Sequence, residues 1–156
     1  MAWPLQDKTC IVGIGETEYT RWGRITRASE FQLALEAIVK AVRDAGLEMK
    51  DVDGFVTYHG DRNAPISVSQ ALGVDQLRFA NLYPGGGNAT CGIVHNAAMA
   101  VYSGAANVVV CYRSLCQGQF GRFGQGQSRG GGSGPVAVGG KAAFTNPFGV
   151  MAPGQG

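Results

Sequence analysis

The residues best suited to chemistry stand together in Tyr83-Pro84-Gly85-Gly86-Gly87-Asn88-Ala89-Thr90-Cys91-Gly92. A strand should end at Tyr83, three glycines should turn the chain, and a helix should begin near Asn88 or Ala89. Such a turn points backbone N–H groups outward, and the helix N-terminus adds partial positive charge at the same place. An anion or a developing oxyanion would be stabilised there. Gly86, Gly87 and Asn88 are therefore the candidate substrate-binding positions. Cys91 offers a different chemistry, nucleophilic attack by a thiolate. His59, just past an earlier strand, is a further candidate for lining a site, or else a histidine of a surface loop.

Several elements must position these groups. Thr9 to Ile14 is short, β-rich and ended by Gly15, and reads as a buried strand. Its Gly13-Ile14-Gly15 lacks the third glycine of a dinucleotide fingerprint, and Glu16 and Glu18 would repel a pyrophosphate. Tyr19 to Ala28 carries Arg21, Arg24 and Arg27, either as a solvated loop or as cations facing the phosphates of an acidic ligand. Ser29 has the character of an N-cap, and Phe31, Leu35, Ile38, Val42 and Ala45 follow at helical spacing up to Gly46. Val52 to Tyr58 completes a βαβ unit, for which parallel pairing is the default. His59, Asp61 and Arg62 follow it, where α/β sheets place their ligands.

Ser67 to Leu72 reads as a short helix closed by Gly73, and Gln76 to Tyr83 as the third strand. The helix behind the glycine turn runs to about Tyr102 and is apolar nearly all round, so it must be covered on all sides. His95 and Asn96 are its polar exceptions, expected as a satisfied internal pair. Asn107 to Tyr112 is almost continuously apolar and reads as a central fourth strand.

Composition removes several function classes. The chain has 156 residues, enough for one domain with a core; 45% are hydrophobic and 15% charged. A net charge of +2 gives no ground for nucleic acid or an anionic membrane. No apolar run reaches the length of a membrane span, and the N-terminus lacks a signal-peptide core, which reads as cytoplasmic. Cys10, Cys91, Cys111 and Cys116 form no CxxC pair, and with two histidines they make no convincing zinc set; buried free thiols are expected. No metal site and no tightly bound cofactor is expected.

The character changes at residue 117. Ten of the 24 residues from Gln117 to Gly140 are glycine, mixed with Gln, Ser and Arg. Such a segment cannot order itself by burial, and reads as a mobile loop over a partner or an active site. Residues 1–116 then form the α/β core and 141–156 the start of a further segment. Phe144 to Gly156 returns to apolar residues and turn signals with no element after it, as if the chain were truncated.

Taken in order, these pieces resemble the thiolase superfamily, in its lipid-transfer-protein or sterol carrier protein X branch. The matching pieces are Ile11-Val-Gly-Ile-Gly-Glu-Thr17, Asp44-Ala-Gly46, Val52-Asp-Gly-Phe-Val56, the glycine turn, Ala98-Met-Ala-Val101, Ser103-Gly-Ala-Ala-Asn-Val-Val109 and Asn146-Pro-Phe-Gly149. The resemblance implies an α/β fold, the N-terminal half of a thiolase-like subunit. A mixed, mostly parallel sheet would carry a buried helix on one side and helices on its outer face. Catalytic histidines or tyrosines would belong to the other half. It also implies an acyl-CoA substrate, with coenzyme A present only as part of that substrate. A homodimer would pair through the strand Arg78 to Tyr83.

One departure matters. Thiolases open the buried helix with a cysteine, and that position falls here on Gly87; Cys91 lies one turn further on, displaced by about 6 Å along the axis. Glycine at the nucleophile position resembles the thiolase-like aldolases of steroid side-chain breakdown, which cleave β-hydroxyacyl-CoA thioesters by retro-aldol chemistry with a partner carrying an OB-fold and a zinc ribbon. The resemblance therefore implies a carbon–carbon lyase whose enolate is held by N–H groups of the Gly85–Asn88 turn. Two alternatives stay open: an acyltransferase with Cys91 as nucleophile, and a non-catalytic assembly subunit.

Overall fold

A computed structural model describes residues 6–21, 24–58, 61–84 and 90–114. Within them the chain is α/β, with a three-stranded parallel sheet and three α-helices. Helix α1 spans Glu30–Asp44 and is followed by a single 3-10 turn, Met49–Asp51. Strand β1 spans Gly54–Tyr58, helix α2 Pro65–Ala71, strand β2 Phe79–Tyr83, helix α3 Thr90–Tyr102 and strand β3 Val109–Cys111.

Helix α1 forms where the spacing predicts it. Ser29 Oγ accepts from the Gln32 N–H at 3.2 Å, and the Gln32 side chain accepts from the Ser29 N–H at 2.9 Å. This reciprocal capping box satisfies two donors that an uncapped helix would leave open. At the other end Gly46 N–H donates to Arg43 C=O and Leu47 N–H to Val42 C=O, closing the last turn. Leu33, Ala34, Ile38 and Val42 line the buried face.

Strand β1 is the centre of the sheet. It pairs in parallel with β2, Gly54 opposite Phe79 through Tyr58 opposite Tyr83, and with β3, Gly54 opposite Val109 through Val56 opposite Cys111. All five of its residues are buried. The pleat alternates its side chains between two layers. Phe55 joins Ile38, Val42, Val52, Val68 and Tyr112 beneath α1 and α2. Val56 and Tyr58 join Ile93 and Ala97 of α3 on the opposite face. Each fully buried side chain of this kind stabilises the fold by about 1.5–3 kcal/mol relative to exposure. The continuous apolarity of Asn107 to Tyr112 pointed to a central strand. Instead β3 is an edge of the described sheet and its three residues are half-buried.

A second expectation is overturned at the N-terminus. Thr9 to Ile14 pairs with no strand among the described residues, and Ile11, Val12 and Ile14 are 75%, 56% and 75% exposed. The segment lies along α1 instead. A methyl added at Gly13 would fall 2.2 Å from Ala41 C=O oxygen, and one at Gly15 would fall 2.1 Å from that of Ala37. Missing side chains, not β pairing, set its path. Ile14 N–H donates to the Asp44 carboxylate at 2.9 Å, and Lys40 Nζ donates to Glu16 C=O at 2.9 Å.

Helix α3 is covered on one side. Ile93 and Ala97 pack against the sheet and Ala100 is buried, while Val94, Met99 and Tyr102 are 42%, 39% and 48% exposed. Full burial of this helix is therefore not met within the described residues. None of the described helices is long and apolar enough to cross a membrane.

Candidate functional site

Parallel pairing sends all three strands out of the sheet at one edge. Tyr58 and Tyr83 stand opposite one another at the ends of β1 and β2. Tyr112 N–H extends the ladder to Val56 C=O at 3.1 Å, one residue past β3. The segments after residues 58, 83 and 112 therefore leave from neighbouring points. In sequence, Gly86, Gly87 and Asn88 follow the second of these strands and His59 the first. All four lie outside the described residues, as do Cys116, the glycine-rich segment 117–140 and residues 141–156.

What flanks the turn is described. Tyr83 ends β2, and its ring lies over the first turn of α3. A methyl at Gly92 would fall 2.5 Å from Tyr83 Cε1 and 2.8 Å from its Cζ. Glycine at 92 lets strand and helix close to ring-on-backbone contact, which fixes where α3 approaches the sheet. Asn81 Nδ2 donates to Asn96 Oδ1 at 2.8 Å one turn further along. Asn96 is thus satisfied as expected, by β2, whereas His95 is exposed rather than internal.

The cysteines divide. Cys91 is exposed in the first described turn of α3, and Cys10 is exposed too, so neither is the buried thiol that composition suggested. Cys111 is half-buried, and its thiol donates to Ile93 C=O at 3.7 Å. Burial pushes it up to about 11, which keeps it protonated at neutral pH and unfit as a nucleophile. Among the described residues no three His, Cys, Asp or Glu side chains gather as a metal site.

The exits of β1 and β3 are bolted together by a polar network that the sequence did not reveal. Asp61, 6% exposed, accepts from the Ser114 N–H at 2.6 Å and from the Ser114 hydroxyl through its second carboxylate oxygen. That oxygen also accepts from the Asn63 N–H at 3.0 Å. Asn63 Nδ2 donates to Ser114 Oγ at 2.7 Å. Tyr112 Oη donates to Asn63 C=O at 2.5 Å, and Thr57 Oγ1 donates to Tyr112 C=O at 2.8 Å. Burial, and secondly the charge of Asp61, hold the Tyr112 phenol far above its ordinary range. It acts as a donor and not as a base. Arg62 meets Glu30 of α1 at 3.7 Å, and the Arg113 guanidinium sits 6.0 Å from the centre of the Tyr58 ring.

The opposite edge has its own carboxylate. Asp53 accepts from Asn107 N–H at 2.8 Å, Val108 N–H at 2.9 Å and Asn107 Nδ2 at 3.0 Å, and meets Arg78 at 3.4 Å. It ties the starts of all three strands. An open groove of about 600 Å³ lies beside it, lined by residues that include Lys50, Asp75, Arg78 and Asn107. One arginine of the basic loop is likewise engaged. Arg27 bonds Glu18 at 2.8 Å and Glu36 at 2.6 Å, leaving it committed to carboxylates of its own chain rather than to a ligand phosphate.

No protein-family model matches the chain. Over 152 residues it is 43% identical to a steroid side-chain-cleaving aldolase of Thermomonospora curvata, covering 97% of this chain and 38% of that protein. The chain is thus similar to an aldolase over nearly its whole length. It is also 44% identical over 126 residues to the 17-hydroxy-3-oxo-4-pregnene-20-carboxyl-CoA lyase of Mycobacterium tuberculosis, covering 80% of this chain and 32% of that one. Among solved structures, a chain of an Ltp2-ChsH2(DUF35) aldolase matches at a TM-score of 0.64 and 45% identity, over 76% of this chain and 30% of its own length. The chain therefore spans about two fifths or less of the length of the curated relatives it matches.

Proposed function

We propose that this chain is the N-terminal portion of a thiolase-like lyase that cleaves a β-hydroxyacyl-CoA thioester by a retro-aldol reaction, with a steroid side chain as the acyl group. The observation that carries this reading is the 43% identity to a steroid side-chain-cleaving aldolase across 152 residues. The shared exit edge of three parallel strands supports it, because α/β sheets bind ligands there.

The chemistry balances without a covalent enzyme intermediate. A base takes the proton of the substrate's β-hydroxyl, the Cα–Cβ bond breaks, and the β carbon leaves as a carbonyl. The bond's electron pair passes to the thioester as an enolate, which is then protonated at Cα. The enzyme must stabilise negative charge on the thioester oxygen. Gly86, Gly87 and Asn88 would supply backbone N–H groups for it, with His59 at the neighbouring exit. The base would come from outside this chain segment, as the likeness to thiolase-like aldolases implies, and Tyr112, held protonated, is not a candidate for it. The mycobacterial relative's name specifies a steroid CoA ester of this kind. In the same reading the protein pairs with its copy through Arg78 to Tyr83 and works with an OB-fold and zinc-ribbon partner. The aldolase of known structure is itself named as a two-component assembly.

A second reading has one observation in its favour. Cys91 is exposed in the first described turn of α3, as an acyltransferase nucleophile would be. Cleavage of 17-hydroxy-3-oxo-4-pregnene-20-carboxyl-CoA by the full-length protein, wild type and Cys91→Ala, decides between the two. The lyase reading expects cleavage to survive the substitution and iodoacetamide. An acyl adduct on Cys91 would replace it with the acyltransferase reading. Light scattering tests the dimer, and a monomer at high concentration would remove that part.

A further inference from the structure

The network around Asp61 does more than close a loop. Its carboxylate is buried, and among the described residues its acceptors face three neutral donors, the Ser114 N–H, the Ser114 hydroxyl and the Asn63 N–H. Asp61 lies three residues past the end of β1, and Ser114 three past the end of β3. The bonds thus join the exits of two adjacent parallel strands, on the edge from which the candidate site departs. Asp61 N–H also donates to Tyr58 C=O at 3.0 Å, which ties the junction to the last residue of β1. Arg62 anchors the same segment to α1 through Glu30.

Burying an ionised carboxylate is costly, and neutral donors repay less of that cost than a cation does. A loop that had only to be closed could use an apolar contact or a serine. A buried acceptor that takes three directed bonds fixes distance and orientation between two backbone segments. We infer that Asp61 is a positioning residue of the proposed lyase, acting through Ser114 and Asn63 to hold the exits of β1 and β3 at the spacing the reacting thioester requires. This inference rests on the lyase reading above. Asn at 61 would keep the shape but turn an NH₂ group toward donors, so the junction would open by a fraction of an ångström while the core stayed packed.

The test compares Asp61→Asn and Ser114→Ala with Asp53→Asn in the full-length protein, assembled with its partner, on 17-hydroxy-3-oxo-4-pregnene-20-carboxyl-CoA. Misplacement on the scale of 1 Å costs about 100-fold in rate, so the smaller opening in Asp61→Asn should lower kcat by about 10-fold, with KM changed by no more than about 3-fold. Ser114→Ala should lower kcat in the same direction, and the double variant should be little worse than Asp61→Asn, because the two act as one unit. Asp53→Asn, at the other edge, should lower the melting temperature yet keep kcat. The inference is overturned if Asp61→Asn and Ser114→Ala lose melting temperature while kcat holds, or if KM moves and kcat does not. Should Asp61→Asn fail to fold, Ser114→Ala alone decides. A wild type that cleaves nothing sinks the lyase reading and this inference with it; an active wild type with unaffected variants sinks this inference alone.

Discussion

Two buried aspartates brace the same sheet from opposite ends, and they are built differently. Asp53 ties the starts of β1, β2 and β3 and includes a cation, Arg78, among its partners. Asp61 ties the exits of β1 and β3, and among the described residues it is held by neutral donors alone. Asp53 takes three bonds of 2.8–3.0 Å besides the cation and joins the starts of all three strands, so the strand-start brace is the one suited to stability. The exit brace fixes geometry at a smaller gain. The asymmetry fits a sheet whose exits carry the proposed site and whose starts carry the load.

The largest effect should therefore come from Asp53→Ala. It strips Asn107 and Val108 of their acceptor, leaves Arg78 only the Gly104 carbonyl, and should cost about 3 kcal/mol in urea unfolding. Asp61→Ala should cost less than that, and the reverse order would break the comparison. Next comes Gly92→Ala at the exit edge, where the new methyl displaces the Tyr83 ring; it should cost about 1–3 kcal/mol, relieved when Tyr83 is cut to Leu. A no-cost Gly92→Ala would mean that ring contact does not set the approach of α3.

The Cys111 thiol gives a smaller effect whose sign is set by burial. Its pKa is raised in the fold to about 11 from 9.0, so the unfolded chain loses this proton first as pH rises. The folded state then binds more protons, and stability falls between pH 9.0 and about 11, with no contribution below that window. Urea midpoints against pH should show this decline in the wild type and lose it in Cys111→Ala. At neutral pH iodoacetamide should label Cys91 and Cys10 before Cys111. The smallest effect belongs to Arg27→Ala, away from both edges. Arg27 lowers the pKa of Glu18 and of Glu36 by direct hydrogen bonds, so its contribution is present above the carboxylate range and lost as pH falls through it. Its carboxylate partners are solvent-exposed, and the change in melting temperature should sit at the limit of detection.

Local signals explain what could be read in advance. The Ser29 cap, the helical spacing to Val42, Gly46 and the buried run into Tyr58 depend on neighbours in sequence, and each appears where it was expected. The strand before Tyr83 and the helix behind the glycine turn do so as well. The exit brace was missed because Asp61 and Ser114 are 53 positions apart, and neither is unusual by itself. The strand-start brace left a fainter trace: a polar residue, Asp53, Arg78 or Asn107, stands one or two positions before each strand.

The amino-acid order by itself determined the elements from Ser29 onward and the chemistry available to them, since capping, periodicity and glycine turns act over a few residues. It also carried the likeness to aldolases, because that likeness is a matter of residue types in order. Among the described residues, tertiary structure decided which strand sits at the centre, that Thr9 to Ile14 lies on α1 rather than in the sheet, and which thiols face solvent. It also decided that two aspartates brace the two ends of one sheet. Those outcomes turn on contacts between distant segments, where the competition is for burial and for hydrogen-bond partners, and no short window of sequence contains both competitors.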